Sequence, residues 1–224
     1  MCNSACIAFG VRHLTIEEIR GKKVIEVGSC DVNGSLRPII ESWAKPSKYV
    51  GVDIEKGLGV DVICSAEEIV DYFGKESFEI VISTELLEHV RDWKKVISNL
   101  KQICKPNGCI LITTRSYGFA YHAYPYDLWR YEPEDIRQSF SDCKILALEK
   151  DPLTPGVFFK VQKTESFLEK DLTDFALYNI TLNKRIKDPW EVTEKDIQLF
   201  CLLRKIPNQK LKRWLFKTLK IFYS

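Results

Sequence analysis

The chain has no uninterrupted apolar run near the roughly 18–20 residues that a membrane-crossing helix needs. Met1 to Gly10 lack both a basic start and a long apolar middle, so no secretory signal is expected. The eight cysteines include no Cys-x-x-Cys, and no histidine stands at zinc-ligand spacing from them. Cys64, Cys104, Cys109 and Cys201 sit in apolar runs. Free thiols in a reducing compartment follow, rather than a disulfide framework or a structural zinc site. With 33 basic and 31 acidic residues, the net charge of +2 gives no nucleic-acid signature. Internal repeats and low-complexity stretches are also absent. Together these absences predict a cytoplasmic globular protein with no nucleic-acid partner.

What is present fits an ordinary globular domain: 224 residues, 45% apolar and 29% charged, enough to bury a sizeable core. Three segments are expected: an N-terminal helical segment over residues 1–20, an α/β domain over 21–163, and a helical extension over 164–224. Residues 4–13 read as a short helix, and Thr15-Ile16-Glu17-Glu18 is a capping box that starts another. Strands are expected over 23–27, 49–53, 60–64, 78–83 and 109–114. Helices between them are expected over 35–43, over 65–72 behind a second capping box, and after Asp92 with Trp93, Val96, Ile97, Leu100 and Ile103 on one face. This alternation predicts a parallel sheet covered on both faces. Pro133 opens a short helix to Phe140. Residues 143–148 and 157–161 are joined by a segment too short for a crossover helix, so they should pair antiparallel. Beyond Lys163 the pattern reads as helices only.

The first strand ends in Val24-Ile25-Glu26-Val27-Gly28-Ser29-Cys30-Asp31-Val32-Asn33-Gly34. A strand, a glycine-marked turn and a helix bring bare N–H groups toward a ligand. The glycine positions of a dinucleotide fingerprint would fall at Gly28, Cys30 and Asn33, and only the first is glycine. The side chain of Cys30 stands where a pyrophosphate needs bare backbone. Glu26, an acid at the end of a central strand, calls for a cation or donors. Asp53 can accept hydrogen bonds from both hydroxyls of a ribose. Ile54 can cover a purine face, and Ser65 and Ala66 can meet its edge. All lie at successive strand carboxyl ends, on one side of the sheet.

With these residues, Val50-Gly51-Val52-Asp53-Ile54, the segment Glu85-Leu86-Leu87-Glu88-His89-Val90 and the turn Lys105-Pro106-Asn107-Gly108, residues 21–161 resemble the class I S-adenosylmethionine-dependent methyltransferases, in particular small-molecule enzymes of the type 11 kind. The resemblance implies a Rossmann-like, seven-stranded, mostly parallel sheet with an antiparallel last strand. It also implies cofactor contacts at Glu26, Gly28, Asp53, Ser65 and Ala66. Ser29 and Gly34 of the same loop, Ile54, and Thr84 at the end of the fourth strand complete the expected set. Two departures stand out: Cys30 where the family often has glycine, and Ser65 where it often has aspartate. Glu67 can compensate for the second. The competing readings are a nicotinamide-dependent oxidoreductase, which Cys30 and Asn33 disfavour, and a non-catalytic methyltransferase-like scaffold.

Transfer to an oxygen also needs a base with a pKa near neutrality. Of the three histidines, His13 precedes the first strand and reads as structural. His122 is the favoured base, and His89 is the second catalytic candidate. Glu85, Glu88 and His89 share a helical face and could hold a divalent cation. Two carboxylates beside a cationic cofactor are intelligible without one, so no metal is assigned. In the aromatic segment 117–131, Tyr124, Tyr126, Asp127, Trp129 and Arg130 are the expected acceptor contacts. Rings with polar tips suit a sugar, so a saccharide hydroxyl is the favoured acceptor. Finally, residues 206–224 form a basic amphipathic pattern. Docking on the chain itself or on a second subunit is preferred over peripheral contact with an anionic membrane.

Overall fold

The structure is a computed structural model and describes residues 3–122 and 126–206. In chain order the elements are α1 (Ser4–His13), α2 (Ile16–Ile19), β1 (Lys23–Val27), α3 (Arg37–Trp43), β2 (Lys48–Asp53), β3 (Val62–Ile63), α4 (Ile69–Phe73), β4 (Phe78–Thr84), α5 (Trp93–Ile103), β5 (Cys104–Arg115), β6 (Trp129–Arg130), α6 (Pro133–Ser139), β7 (Cys143–Lys150), β8 (Gly156–Lys163), β9 (Leu177–Asn179), β10 (Lys184–Ile186) and α7 (Glu194–Arg204).

The main sheet has seven strands in the order β3-β2-β1-β4-β5-β8-β7. β1 to β5 run parallel, and β8 pairs antiparallel with both β5 and β7. This is the expected Rossmann-like sheet with its antiparallel closing hairpin. The order reverses between β1 and β4, which places the carboxyl ends of β1, β2, β4 and β5 around one crevice, the usual ligand position in such sheets.

Apolar side chains on the two sheet faces form two cores. One collects α1, α2 and α3 through Cys6, Phe9, Leu14, Ile19, Leu36 and Ile40. The other collects α5 through Trp93, Val96, Ile97, Leu100 and Ile103, all completely buried. Their i, i+3, i+4 spacing puts one stripe of α5 against the sheet, while the Asp92 carboxylate caps its first turn.

Some boundaries differ from those expected. α3 starts at Arg37 rather than residue 35, because the Ser35 hydroxyl instead accepts from the Arg37 N–H. The capping box at Ser65 does not open a helix. Its hydroxyl accepts from the Glu67 N–H, the Ala66 carbonyl accepts from Asn99, and α4 begins only at Ile69. β3 is shorter than expected, since the Asp61 carboxylate turns away to accept from the Gly51 N–H and Arg37.

The all-helical reading beyond Lys163 is corrected. β10, β9 and β6 form a second, three-stranded sheet. Asn183, at φ +53, makes the turn that lets Leu177–Asn179 pair with Lys184–Ile186. Leu172, Leu177, Leu182, Ile186, Val192 and Ile197 join the same core as α5, so this segment is continuous with the α/β layer. The basic amphipathic tail lies outside the described residues, apart from Ile206. Among the described residues no helix is long and apolar enough to cross a membrane.

Candidate active site

At the carboxyl end of β1 the loop is tied down by its own neighbours. The N–H groups of Gly28 and Ser29 both donate to the Val52 carbonyl, at 2.9 and 3.0 Å. The Cys30 N–H donates to Asp53 Oδ2 at 3.0 Å, that of Asp31 to the Leu58 carbonyl at 2.8 Å, and that of Gly34 to Asp31 Oδ1 at 2.8 Å. The bare N–H cradle expected from the sequence is thus corrected: these donors are satisfied inside the protein. Such a loop is poorly equipped to hold a pyrophosphate, which weakens the nicotinamide reading further.

Two glycines make this geometry possible. Gly28 sits at φ +80, a region open to glycine at no steric cost. Gly51, in the middle of β2, faces the chain at Gly59 so closely that a Cβ would come 1.8 Å from the Gly59 carbonyl oxygen. A glycine inside a strand signals such an approach.

Glu26 is buried and accepts from Tyr49 Oη at 2.8 Å and from Ser35 Oγ at 3.3 Å. Burial raises its pKa to about 7, against the opposing effect of those two donors. A carboxyl poised there becomes fully ionised when a cation arrives. Asp53 closes β2, and its carboxylate already accepts from the N–H groups of Cys30 and Ile54. A carboxylate offers about four acceptor positions, so two remain for a ligand. Ile54 is 50% exposed, while Ala66 is buried at the neighbouring corner. The hydroxyl of Ser29 is buried and lacks a hydrogen-bond partner among the described residues. Thr84 is buried at the end of β4. The expected cofactor residues therefore gather at one edge of the sheet. A buried acid poised near neutrality, a strand-terminal aspartate and an orphaned hydroxyl fit the ammonium and ribose of S-adenosylmethionine.

The turn after β4 builds the other half of the site. Glu85 adopts φ +57, a strained conformation for a residue with a side chain. It is buried, paired with Arg115, and held well above the ordinary carboxylate range by burial and by Glu88. Arg115 reaches onward to Asp151 at 2.9 Å, which in turn receives Asn3, the residue that caps α1. Glu85 is therefore committed to Arg115 and stands apart from the cluster formed by its neighbours.

That cluster is Glu88, His89 and His122. Glu88 is fully buried, and Thr114 Oγ1 donates to its Oε2 at 2.8 Å. Its Oε1 lies 3.9 Å from His89 Nε2 and 3.8 Å from His122 Nε2. The Nδ1 of His89 bonds the Tyr126 carbonyl, and the Nδ1 of His122 bonds Asp127 Oδ2 at 3.0 Å. Asp127 is also gripped by Arg130 through both oxygens, at 2.5 and 2.9 Å. Burial works against ionisation of Asp127, but the hydrogen bonds from Arg130 and His122 hold its pKa well below the usual range. The two catalytic candidates thus lie side by side, their rings 4.8 Å apart. His13 is elsewhere, bonded to Glu149 at 2.8 Å.

The acceptor set divides. Asp127, Trp129 and Arg130 are turned into the protein, each no more than 1% exposed. Trp129 Nε1 donates to the Val90 carbonyl, and its ring meets that of Trp93. The expectation that these three touch an acceptor is corrected: they are buried and held by the cluster and by the turn after β4, with only Arg130 Nε lacking a hydrogen-bond partner among the described residues. Tyr126 is half-buried, with Arg91 over its ring and its hydroxyl on Glu194. Tyr124 lies outside the described residues. The sequence reading missed Tyr49 on Glu26, Thr114 on Glu88, and the part played by Glu88 without Glu85. Only Glu88 had a signal, since it stands beside His89 in the segment that follows β4.

Comparison with known proteins identifies the family and the fold. The methyltransferase domain family matches residues 7–145, and the chain belongs to that family. Its fold is that of the class I S-adenosylmethionine-dependent methyltransferases, and S-adenosylmethionine is the cofactor. Among curated proteins, the ubiquinone biosynthesis O-methyltransferase of Rhizobium leguminosarum bv. trifolii is 27% identical over 195 residues, covering 76% of this chain and 75% of that one. The protein of the same name from Parvibaculum lavamentivorans is 30% identical over 70 residues, covering 31% of this chain and 27% of that one. The chain thus spans only about a quarter of the latter's length. Among solved structures, the Burkholderia thailandensis 1,6-didemethyltoxoflavin-N1-methyltransferase, with bound S-adenosylhomocysteine, shares the fold at a TM-score of 0.52 and 14% identity, covering 72% of this chain and 77% of that one.

Proposed function

We propose that the chain transfers a methyl group from S-adenosylmethionine to a hydroxyl of a small ring compound. The observation that supports oxygen as the acceptor is the His122–Asp127 pair, at 3.0 Å, with His122 Nε2 unpartnered beside the turn after β4. An ionised carboxylate only accepts, so the proton of a neutral His122 resides on Nδ1 and the lone pair on Nε2. That is the form of imidazole that takes a proton from a hydroxyl. An amine acceptor with a free lone pair has no such need. The names of the curated relatives, which are O-methyltransferases, support the same reading.

When bound, S-adenosylmethionine supplies a methyl group already activated on a sulfonium. Glu26 would hold its ammonium, Asp53 its ribose, and Ile54 and the Ser65–Ala66 corner its purine. Asp127, fixed by Arg130, orients His122. The acceptor hydroxyl gives its proton to His122 Nε2, and the buried surroundings keep water away. The saccharide expectation rested on the rings of the 117–131 segment together with Asp127 and Arg130; of its contacts, Asp127, Trp129 and Arg130 are buried. The rings of Tyr117 and Tyr126 can stack on a phenol or a sugar alike.

Incubation with labelled S-adenosylmethionine and a panel of catechols, sugars and amines tests the proposal. Label should enter a hydroxyl acceptor, and His122→Ala should lower kcat by about 10²–10⁴ while leaving cofactor affinity unchanged. Labelling of amines alone, or wild-type turnover in His122→Ala, overturns it.

A further inference from the structure

We propose that Arg115 is a positioning residue for the base: its guanidinium holds the Phe119 ring, and Phe119 sets the plane of the His122 imidazole. The inference rests on the reading of His122 as that base. Asp127 fixes only part of His122. Its Oδ2 accepts from the His122 backbone N–H at 2.9 Å and from Nδ1 at 3.0 Å. Those bonds settle the tautomer and hold one ring atom. The ring can still turn, because the terminal torsion of histidine is broad and has no sharp staggered minima. The direction of the Nε2 lone pair is therefore set by what packs against the ring. Two rings do so among the described residues: His89 at 4.8 Å and Phe119 at 4.9 Å, inclined at 70° and 77°.

Phe119 is held from several directions. Its carbonyl accepts from Arg130 Nη2 at 3.3 Å, and its N–H donates to the Ser116 carbonyl at 3.2 Å. Its ring lies against Arg115, whose Cζ is 4.2 Å from the ring centroid. A guanidinium is a flat fork that can hydrogen-bond in its plane and stack through its face at the same time. Arg115 does both. Its Nε meets Glu85, while Nη1 donates to Asp151 Oδ2 at 2.9 Å and to Thr154 Oγ1 at 3.0 Å. Asp151 accepts in turn from the Asn3 side chain and from the Leu153 N–H. The stack on Phe119 is thus anchored to the turn after β4, to the turn joining β7 and β8, and to the start of α1.

His122 stands outside any regular element, so its geometry depends on such neighbours. A misplacement of about an ångström can cost about a hundredfold in rate. Charge alone does not account for Arg115. A lysine would also offset Glu85 and Asp151, but it has no flat face to lay on Phe119. That difference separates the positioning role from a purely structural one. Arg115→Ala is the wrong probe, because it leaves two buried carboxylates without their cation.

Imidazole NMR of the full-length protein tests the geometry without an acceptor, since the chain has only three histidines. Phe119→Leu should remove the ring-current shift of the His122 ring protons. Arg115→Lys should move the same protons, Phe119→Tyr should leave them in place, and His13 should not respond to any of the three. His122 ring protons unmoved in Arg115→Lys overturn the proposal. Kinetics with the catechol or sugar that takes the label then read the consequence. Arg115→Lys and Phe119→Leu should each lower kcat about tenfold, with S-adenosylmethionine affinity kept within about twofold. The double variant should be no slower than the slower single one, because both act through one contact. Independent losses that multiply to about a hundredfold overturn the proposal. Wild-type turnover in His122→Ala overturns the reading of His122 on which it rests. Slowed turnover in His122→Ala, with wild-type kcat in Arg115→Lys, overturns this inference alone.

Discussion

Single residues carry the charge logic of the site. Glu26 is buried with a pKa near 7, and a cationic ligand favours its ionised form. Below that pH, binding must also remove a proton, which weakens affinity about tenfold per unit. Calorimetry should therefore show S-adenosylmethionine binding about tenfold weaker at pH 6 than at pH 7.5. Glu26→Gln should bind more weakly at pH 7.5 and lose this dependence. A variant that keeps the full dependence would remove Glu26 from the role. Asp53→Ala should weaken binding at least tenfold, as expected when a charge-assisted pair of hydrogen bonds is lost, and unchanged affinity would refute the pocket. Glu26 and Asp53 were legible in the sequence because each ends a strand, where an acid is costly without a purpose. Trp129 and Arg130 were misread because their chemistry suits both a ligand and a core. Only the pairing of Arg130 with Asp127, and of Trp129 with Val90, decides between the two.

Elements position these residues through close approach. β2 can lie against the 57–59 segment only because Gly51 has no side chain, and that segment in turn accepts from Asp31 and Arg37. Gly51→Ala should displace the loop that holds Cys30 on Asp53. Loss of cofactor affinity of tenfold or more, with far-ultraviolet circular dichroism retained, is the expected result. Wild-type affinity would show that the loop can move without cost. The segment leading into β6 is fastened to the turn after β4, since the N–H groups of Leu128 and Trp129 both donate to the Glu88 carbonyl. Acceptor side and cofactor side thus share one rigid corner. The parallel strands were legible from apolar runs bounded by turns. β9 and β10 were not, because three-residue strands are shorter than any periodic pattern can reveal.

At the scale of the whole molecule, buried acids set the pH response. Glu26, with its pKa raised to about 7 from an unfolded value near 4.5, loses its proton later in the folded state than in the unfolded one. Its stabilising contribution is complete below the unfolded value and is lost as pH rises to about 7. Glu85, raised in the same direction, adds to the trend. Asp127, lowered, has the opposite sign: its contribution is present above the unfolded value and is lost as pH falls through the folded one. Urea unfolding at pH 8 should find Glu26→Gln more stable than wild type by on the order of 1–3 kcal/mol. The gain should vanish near pH 4, and equal gains at both pH values would contradict the linkage.

The central claim is that one chain joins a methyl-donor site at Glu26 and Asp53 to a proton-accepting cluster at His122. Its most direct test is the product formed from S-adenosylmethionine carrying a ¹³C-methyl group and a catechol or sugar acceptor. Carbon NMR should show a methoxy signal with the wild type, and a much weaker one with Asp53→Ala at limiting cofactor. An N-methyl or C-methyl signal in its place, or no transfer to any hydroxyl by a protein that binds the cofactor, would contradict the account.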